Sequence, residues 1–342
     1  MPEKKKNTRP RQSAPKSKTI AILGAHTFIG QRVLRRLQAR GDAPLVIIDL
    51  KRPKELDKEH KFYKVDLTQP TADAILADIL EREQVDTVIH LAFTTSPSRN
   101  QTYAHELEVI GTLNLLHACA RHRLRKLIVR STTMVYGAHP SNPNFLDEDA
   151  PLRASRSYPF VRDKAEVESL IKRHRTKHPE TCITVLRPCS ILGPTVRNFI
   201  TEYLRRPVCM TLLGFDPLFQ LVHENDVIDA FELALEKDLS TDFNIVAPGV
   251  LPLSTIIKLA GRPTVPVFHP MAYPLVQAAW LAGLSPAPAP HLDYIRYLWV
   301  ADGDKATREL GFRPRHSTRE TVEAFAGVQR LRDVRLLEHA SD

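Results

Sequence analysis

The stretch KTIAILGAHTFIGQRVLRRLQAR, residues 18–40, decides the fold. Thr19 to Leu23 make a short apolar run of the kind a parallel strand shows when both its faces are covered. Gly24 ends the run. From there Phe28, Ile29, Val33, Leu34 and Leu37 fall on one face of a helix. Strand, glycine turn and helix follow within a few residues. That order puts a helix N-terminus, with unpaired N–H groups and the positive dipole end, where a pyrophosphate can sit. Gly24 and Gly30 are the outer glycines of a G-x-x-G-x-x-G spacing, with Thr27 in the middle. A threonine there costs about 1–3 kcal/mol if the backbone needs a positive φ. Its hydroxyl also suits a helix N-cap. On these residues alone, a dinucleotide turn and a plain capped strand–turn–helix both stand.

The residues that follow repeat the pattern. PLVIIDL (44–50) is a second strand ending at Asp49, about twenty residues past the turn. A carboxylate there accepts hydrogen bonds from the adenosine ribose and repels a 2′-phosphate, which favours NAD over NADP. Lys51 and Arg52 soften that preference, and Asp49 also reads as an ordinary strand-end turn residue. FYKVDLTQ gives a third strand ending at Asp66 and Leu67. VDTVIHLAF (85–93) gives a fourth ending at Leu91 and Ala92. A long helix over 105–122 and a fifth strand over 125–137 come next. The alternation predicts a doubly wound parallel α/β sheet with helices on both faces.

The chain has 342 residues, room for one large α/β domain or a domain with a smaller lobe. The longest apolar run, around residues 272–284, is interrupted by Pro274 and Gln277 and is too short to span a bilayer. Four cysteines without CxxC spacing read as reduced thiols, so a cytoplasmic protein is expected. Residues 1–18 carry +6 of the net charge of +9 and almost no apolar side chains, so a disordered basic tail is expected. No zinc-finger spacing or aromatic-interleaved basic strand points to specific nucleic-acid binding. His174 and His178 stand i, i+4 on a helix, but in a cationic run and with no third ligand in view, so no metal site is expected.

In order, GAHTFIG (24–30), Asp49, VDL (65–67), HLA (90–92), GTLNLLHAC (111–119), STTMVYG (131–137), Lys164 with Glu168, VLRPCSILGP (185–194), LVHENDVIDA (221–230), FNIVAPG (243–249) and RELGFRP (308–314) resemble the extended short-chain dehydrogenase/reductases of the NAD-dependent epimerase/dehydratase family. The resemblance covers about residues 18–328. It implies a Rossmann-type doubly wound sheet over 19–190. Mixed segments over 191–330 would complete the core and form a small C-terminal α/β substrate lobe, followed by a tail over 331–342. It implies NAD as cofactor, with Gly24, Thr27, Phe28, Ile29 and Gly30 at the pyrophosphate and Asp66 and Leu67 at the adenine. Leu91 and Ala92 would lie along the dinucleotide, Lys164 would bond the nicotinamide ribose, and Pro188 and Cys189 would border the nicotinamide. Thr132 matches the catalytic hydroxyl residue. The implied partner is a nucleotide-sugar or similar hydroxylated small molecule, and a homodimer through helices 101–122 and 158–178 is a further open expectation.

Three residues depart from the family pattern: Thr27, Glu108 in place of an asparagine, and Phe160 in place of the tyrosine four residues before Lys164. The family tyrosine moves a proton while hydride goes to or from the nicotinamide. Losing such acid–base help forfeits about 10²–10⁴ in rate. Tyr158 is the alternative proton-transfer residue. On a regular helix residues 160 and 164 lie about 40° apart, whereas 158 and 164 differ by about 240°. Pro159 suits the first helical position, which would make Tyr158 the N-cap, outside the helix. Three readings of function follow: an NAD-dependent oxidoreductase or epimerase with an atypical proton-transfer group, an NAD-binding sensor or scaffold with little turnover, and a subunit that has lost the cofactor. Asp49 and Lys164 argue against the third.

Overall fold

The structure, a computed structural model, describes residues 18–155 and 157–340. All but Lys18 of the expected basic tail lies outside that range. The central sheet has seven parallel strands. In chain order they begin with β1 (Thr19–Leu23), β2 (Leu45–Asp49), β3 (Lys61–Lys64), β4 (Val85–His90), β5 (Lys126–Arg130) and β6 (Cys182–Pro188). The seventh is Asp242–Ile245, and the spatial order is Asp242–Ile245, β6, β5, β4, β1, β2, β3. The fifth strand is shorter than the sequence suggests. It ends at Arg130, and Thr133–Tyr136 form a 3-10 turn capped by Thr132. β3 likewise stops at Lys64, short of Asp66.

Both sheet faces are covered, which is why the strands read as unbroken apolar runs. Ile20, Ile22, Ile47 and Ile128 point to one side, against Val33, Leu34 and Leu37 of α1 (Phe28–Arg40) and Val227 and Phe231 of the helix Glu224–Glu236. Ala21, Leu23, Val46, Ile48 and Val129 point to the other. There they meet α2 (Ala72–Arg82), α4 (Gly111–His122), which follows the short α3 (Gln101–His105), and Val167 and Ile171 of α5 (Pro159–Lys177). The chain winds from β1 outward to β3 and then crosses to β4. The strand order therefore reverses between β1 and β4, and a crevice opens at their carboxyl ends.

Gly24 sits at that crevice with φ of 81°, and a Cβ there would come within 2.5 Å of the Ala92 backbone. At Gly30 a Cβ would meet the Gly24 carbonyl oxygen at 2.2 Å. Thr27 is not strained: its φ is −64°. Its hydroxyl accepts the Gly30 N–H at 3.1 Å and donates to the Gly24 carbonyl at 2.8 Å. The threonine closes the turn as an N-cap.

The second lobe is assembled from small strand pairs and helices late in the chain. Cys209–Leu212 pairs with Thr264–Val267, and Leu218–Phe219 pairs with Leu251–Pro252. Around them pack the helices Phe199–Arg205, Leu253–Leu259 and His269–Leu281. The helix Thr318–Ala340 joins this core through Val322 and Phe325, and it runs past the boundary expected at 330. Among the described residues no helix is long and apolar enough to cross a membrane.

Because Thr27 caps rather than strains the turn, Thr27→Gly and Thr27→Ala should lower stability, by up to about 1 kcal/mol. Urea unfolding measures this. A more stable Thr27→Gly protein would show that the position wants the glycine of the family pattern.

Candidate active site

Two cavities run along the crevice and share Phe28, Thr94 and Thr95 as walls. The first, about 320 Å³, is lined by Gly24, Thr27, Phe28, Asp49, Leu67 and Ala92 among the expected cofactor residues. The second, about 70 Å³, is lined by Phe28, Ile29, Thr132, Lys164, Pro188 and Cys189. Most of the residues picked from the sequence therefore meet in one continuous groove. Three of the expected cofactor residues do not line it. Gly30 is buried beneath the turn. Leu91 is in the core, its N–H donating to the Leu23 carbonyl at 2.8 Å. Asp66 accepts the Thr68 N–H and hydroxyl at 3.0 and 2.8 Å and fixes its own turn.

At the β2 end, Asp49 is buried and its carboxylate is already well used. It accepts the His26 N–H at 3.0 Å, the Leu50 N–H at 2.7 Å and a contact from His26 Nδ1 at 2.5 Å. A carboxylate offers about four acceptor sites, so capacity for a ribose hydroxyl is left. The bond to Asp49 raises the His26 pKa above its usual 6.5, with burial and the Lys51 charge opposing. His26 was not singled out by sequence reasoning. The signal lay in the parallel pairing Leu23↔Ile48, which sets the turn after β1 beside the end of β2.

At the other end, α5 is pinned by Glu168. Glu168 pairs with Arg187 of β6 at 2.5 Å and accepts the Ser131 hydroxyl. This presents Lys164 and Phe160 to the groove on one helical face. Lys164 is buried, and its ammonium donates to Glu108 Oε1 and Oε2 at 2.7 and 2.9 Å. The Phe160 ring lies over the same ammonium, its centroid 4.1 Å away. Burial lowers the Lys164 pKa, and Glu108 opposes the shift. Glu108 comes from a π-helical turn, Glu106–Ile110, inside the long helix expected over 105–122. It also accepts the Thr94 N–H at 2.9 Å and the Thr94 hydroxyl. Glu108 and Phe160 thus act on one atom and together enclose the lysine ammonium.

Tyr158 is not brought to this groove. It is the residue before the first helical turn, as Pro159 requires, and it is 1% exposed inside the second lobe. Its hydroxyl is 2.6 Å from His291 Nδ1, and burial holds its pKa well above the usual 10. Thr132 does line the groove, with its hydroxyl accepting the Met134 N–H at 3.3 Å. Burial likewise holds the Cys189 thiol protonated. A residue the sequence reading missed is Arg130, at the carboxyl end of β5. It is 8% exposed, its Nε has no partner, and burial lowers its pKa to about 10. The His174 and His178 rings pack on each other with centroids 4.4 Å apart, and His178 Nδ1 lies 3.1 Å from Glu180 Oε1.

Against known proteins, residues 20–246 match the model of the NAD dependent epimerase/dehydratase family. The chain belongs to this family. An uncharacterised protein of Mycobacterium tuberculosis is 30% identical over 316 residues, covering 90% of this chain and 82% of its own. UDP-glucuronic acid decarboxylase 2 of Arabidopsis thaliana is 26% identical over 257 residues, which is 70% of this chain and 56% of that enzyme. Among solved structures, the UDP-glucose 4-epimerase of Thermotoga maritima with UDP-glucose superposes with a TM-score of 0.71 at 21% identity, over 92% of this chain and 99% of that one. The Thermus thermophilus UDP-glucose 4-epimerase in complex with NAD gives 0.70 at 19%, over 91% and 99%. These likenesses carry the fold, and the expected doubly wound sheet is the one observed.

The enclosed ammonium makes a thermodynamic prediction. Removing one partner of a buried ion pair strands the other charge, at a cost of about 3–5 kcal/mol. Glu108→Gln should therefore lose that order of stability in chemical unfolding, and adding Lys164→Met to it should recover most of the loss. Additive effects of the two substitutions would mean the pair is not coupled.

Proposed function

We propose that the protein binds NAD along the crevice and carries out reversible hydride transfer on a hydroxylated small molecule, without a phenol four residues before Lys164. The observation that carries this reading is the continuity of the groove from Asp49 to Lys164 through Phe28, Thr94 and Thr95. The residues present fit the cofactor. The open turn at Gly24, whose missing Cβ leaves the backbone flush with Ala92, would hold the pyrophosphate. Asp49 would accept from the adenosine ribose. Pro188 and Cys189 would wall the nicotinamide. When bound, NAD supplies the hydride acceptor.

The chain's own residues then orient the substrate and handle its proton. Thr132, beside the nicotinamide end, would hydrogen-bond the reacting oxygen. Phe160 cannot take a proton, and the Glu108 carboxylate already engages the Lys164 ammonium, so the proton would leave through Thr132 and water. Nucleotide sugars, named in the descriptions of several relatives, are one class of substrate within this reading. A second reading, cofactor binding with little turnover, draws its support from the same enclosed lysine. Phe160→Tyr separates them. It adds one oxygen beside Lys164 and Thr132, and general acid–base help of about 10²-fold or more should then appear as faster turnover. No gain in a protein that binds NAD would favour the second reading.

The cofactor preference should depend on pH. Asp49 disfavours a 2′-phosphate, whereas a protonated His26 beside it attracts one. The His26 pKa is raised above the usual 6.5, so the imidazolium is present at about pH 6 and is lost as the pH rises through that raised pKa. NAD should bind more tightly than NADP, and by a wider margin at higher pH. Calorimetric titration with both cofactors tests this, and a margin that narrows as pH rises would refute the role given to His26.

A further inference from the structure

Beyond the groove lies a further cavity, about 250 Å³, inside the second lobe. Phe199 lines both spaces, so the cavity adjoins the groove across this ring. Its walls are apolar and aromatic: Phe199, Phe219, Tyr294, Ile295 and Trp299, with Leu275 and Leu284 exposed at the mouth. Its polar side chains are turned to the protein. The Tyr203 hydroxyl donates to the Met210 carbonyl at 2.6 Å, and the Tyr294 hydroxyl to the Met134 carbonyl at 2.9 Å. The Trp299 indole N–H donates to the Tyr294 carbonyl at 3.0 Å, and the Ser285 hydroxyl to the Ala287 carbonyl at 2.7 Å. His291 is engaged by Tyr158, and burial lowers its pKa to about 4, so it is uncharged. The N-terminus of the adjoining helix Phe199–Arg205 is closed by a capping box between Asn198 and Thr201.

A diphosphate carries charges that need cations or free N–H groups when they leave water. Among the described residues lining this cavity, Arg206 is the one charged side chain, and it is exposed. The cations Arg130, Lys164 and Arg197 line the groove, on the other side of Phe199. We infer that the lobe cavity holds the apolar body of the substrate, an aliphatic or polycyclic secondary alcohol or its ketone, whose oxygen reaches Thr132 past Phe199. The inference rests on the proposed hydride transfer. The alcohol carbon would give its hydride to NAD and its hydroxyl proton to water, leaving the ketone and NADH. Nucleotide sugars are then poor ligands.

Of the chain's two tryptophans, Trp299 lines the cavity, so its fluorescence reports occupancy directly. The NAD-loaded protein is titrated with the series from 2-octanone to 2-dodecanone and, separately, with UDP-glucose. Quenching by the ketones should be saturable, with affinity rising up to about fourfold per buried methylene. Ala279→Phe and Ala287→Phe, which fill the cavity, should weaken ketone binding at least about tenfold, the order of affinity carried by two buried methylenes. Calorimetric binding of NAD should be unchanged in both variants. UDP-glucose binding that is tighter than the ketones and sensitive to the same two substitutions would overturn the inference, as would ketone affinity that ignores chain length or either substitution. Failure of NAD itself to bind would instead sink the hydride-transfer reading.

Discussion

The backbone of Gly24 against the backbone of Ala92 is the contact on which the site depends. It joins the end of β1 to the end of β4 where the strand order reverses, and no side chain fits between them. Everything that lines the groove is registered to it. Asp49 reaches the crevice because β2 pairs with β1, and Thr132 because β5 pairs with β4. Thr27 supports the same contact by tying the Gly30 N–H and the Gly24 carbonyl together. That arrangement explains how a threonine can replace a glycine there: the backbone at that position never needed a positive φ.

Glu108, Lys164 and Phe160 show how neighbouring side chains share the cost of one buried charge. A lysine ammonium buried beside a phenol has a hydrogen-bonding partner in it. Replacing the phenol by a phenyl ring leaves the charge short of a partner in a low-dielectric site, at a cost that favours neutralisation. The carboxylate at position 108 supplies the missing charge and two short hydrogen bonds, and the Phe160 ring supplies its negative face. The tie holds Lys164 in place and engages its ammonium.

The layer architecture was legible because burial on both sheet faces leaves its mark on single segments. The runs at Thr19–Leu23 and Leu45–Asp49, the stripe on α1 and the proline that starts α5 each report local physics. The candidate site was legible at strand ends and at the few helix positions that the motifs mark, such as Phe28 and Lys164. Glu108 and Lys164 are 56 residues apart, and His26 and Asp49 are 23 apart, so neither pairing has a local signature. The same holds for Arg130. Its Nε is buried without a hydrogen-bond partner beside the Phe93 ring, a setting that no local pattern announces. Tyr158 was ambiguous for a different reason: as an N-cap its direction is set by the lobe it packs into, not by helical periodicity.

The lobe was the least legible part, and its chemistry differs most from that of the groove. Its cavity wall is gathered from Phe199, Phe219, Leu275 and Trp299, segments that no periodicity links. The groove keeps its charges, Lys164, Arg130 and Asp49, close to the sheet edge, where backbone N–H groups and carboxylates can balance them. The lobe instead uses tyrosine, tryptophan and histidine with their polar atoms bonded inward, so that rings face the space. Phe199 stands where the two meet, its ring edge-on to His291 at 4.5 Å. A ligand spanning both spaces must therefore be polar at one end and apolar at the other, and the division falls at that ring. Tyr158 belongs to the apolar side of it. Its hydroxyl bonds His291 rather than entering the groove, so this tyrosine braces a wall of the lobe cavity.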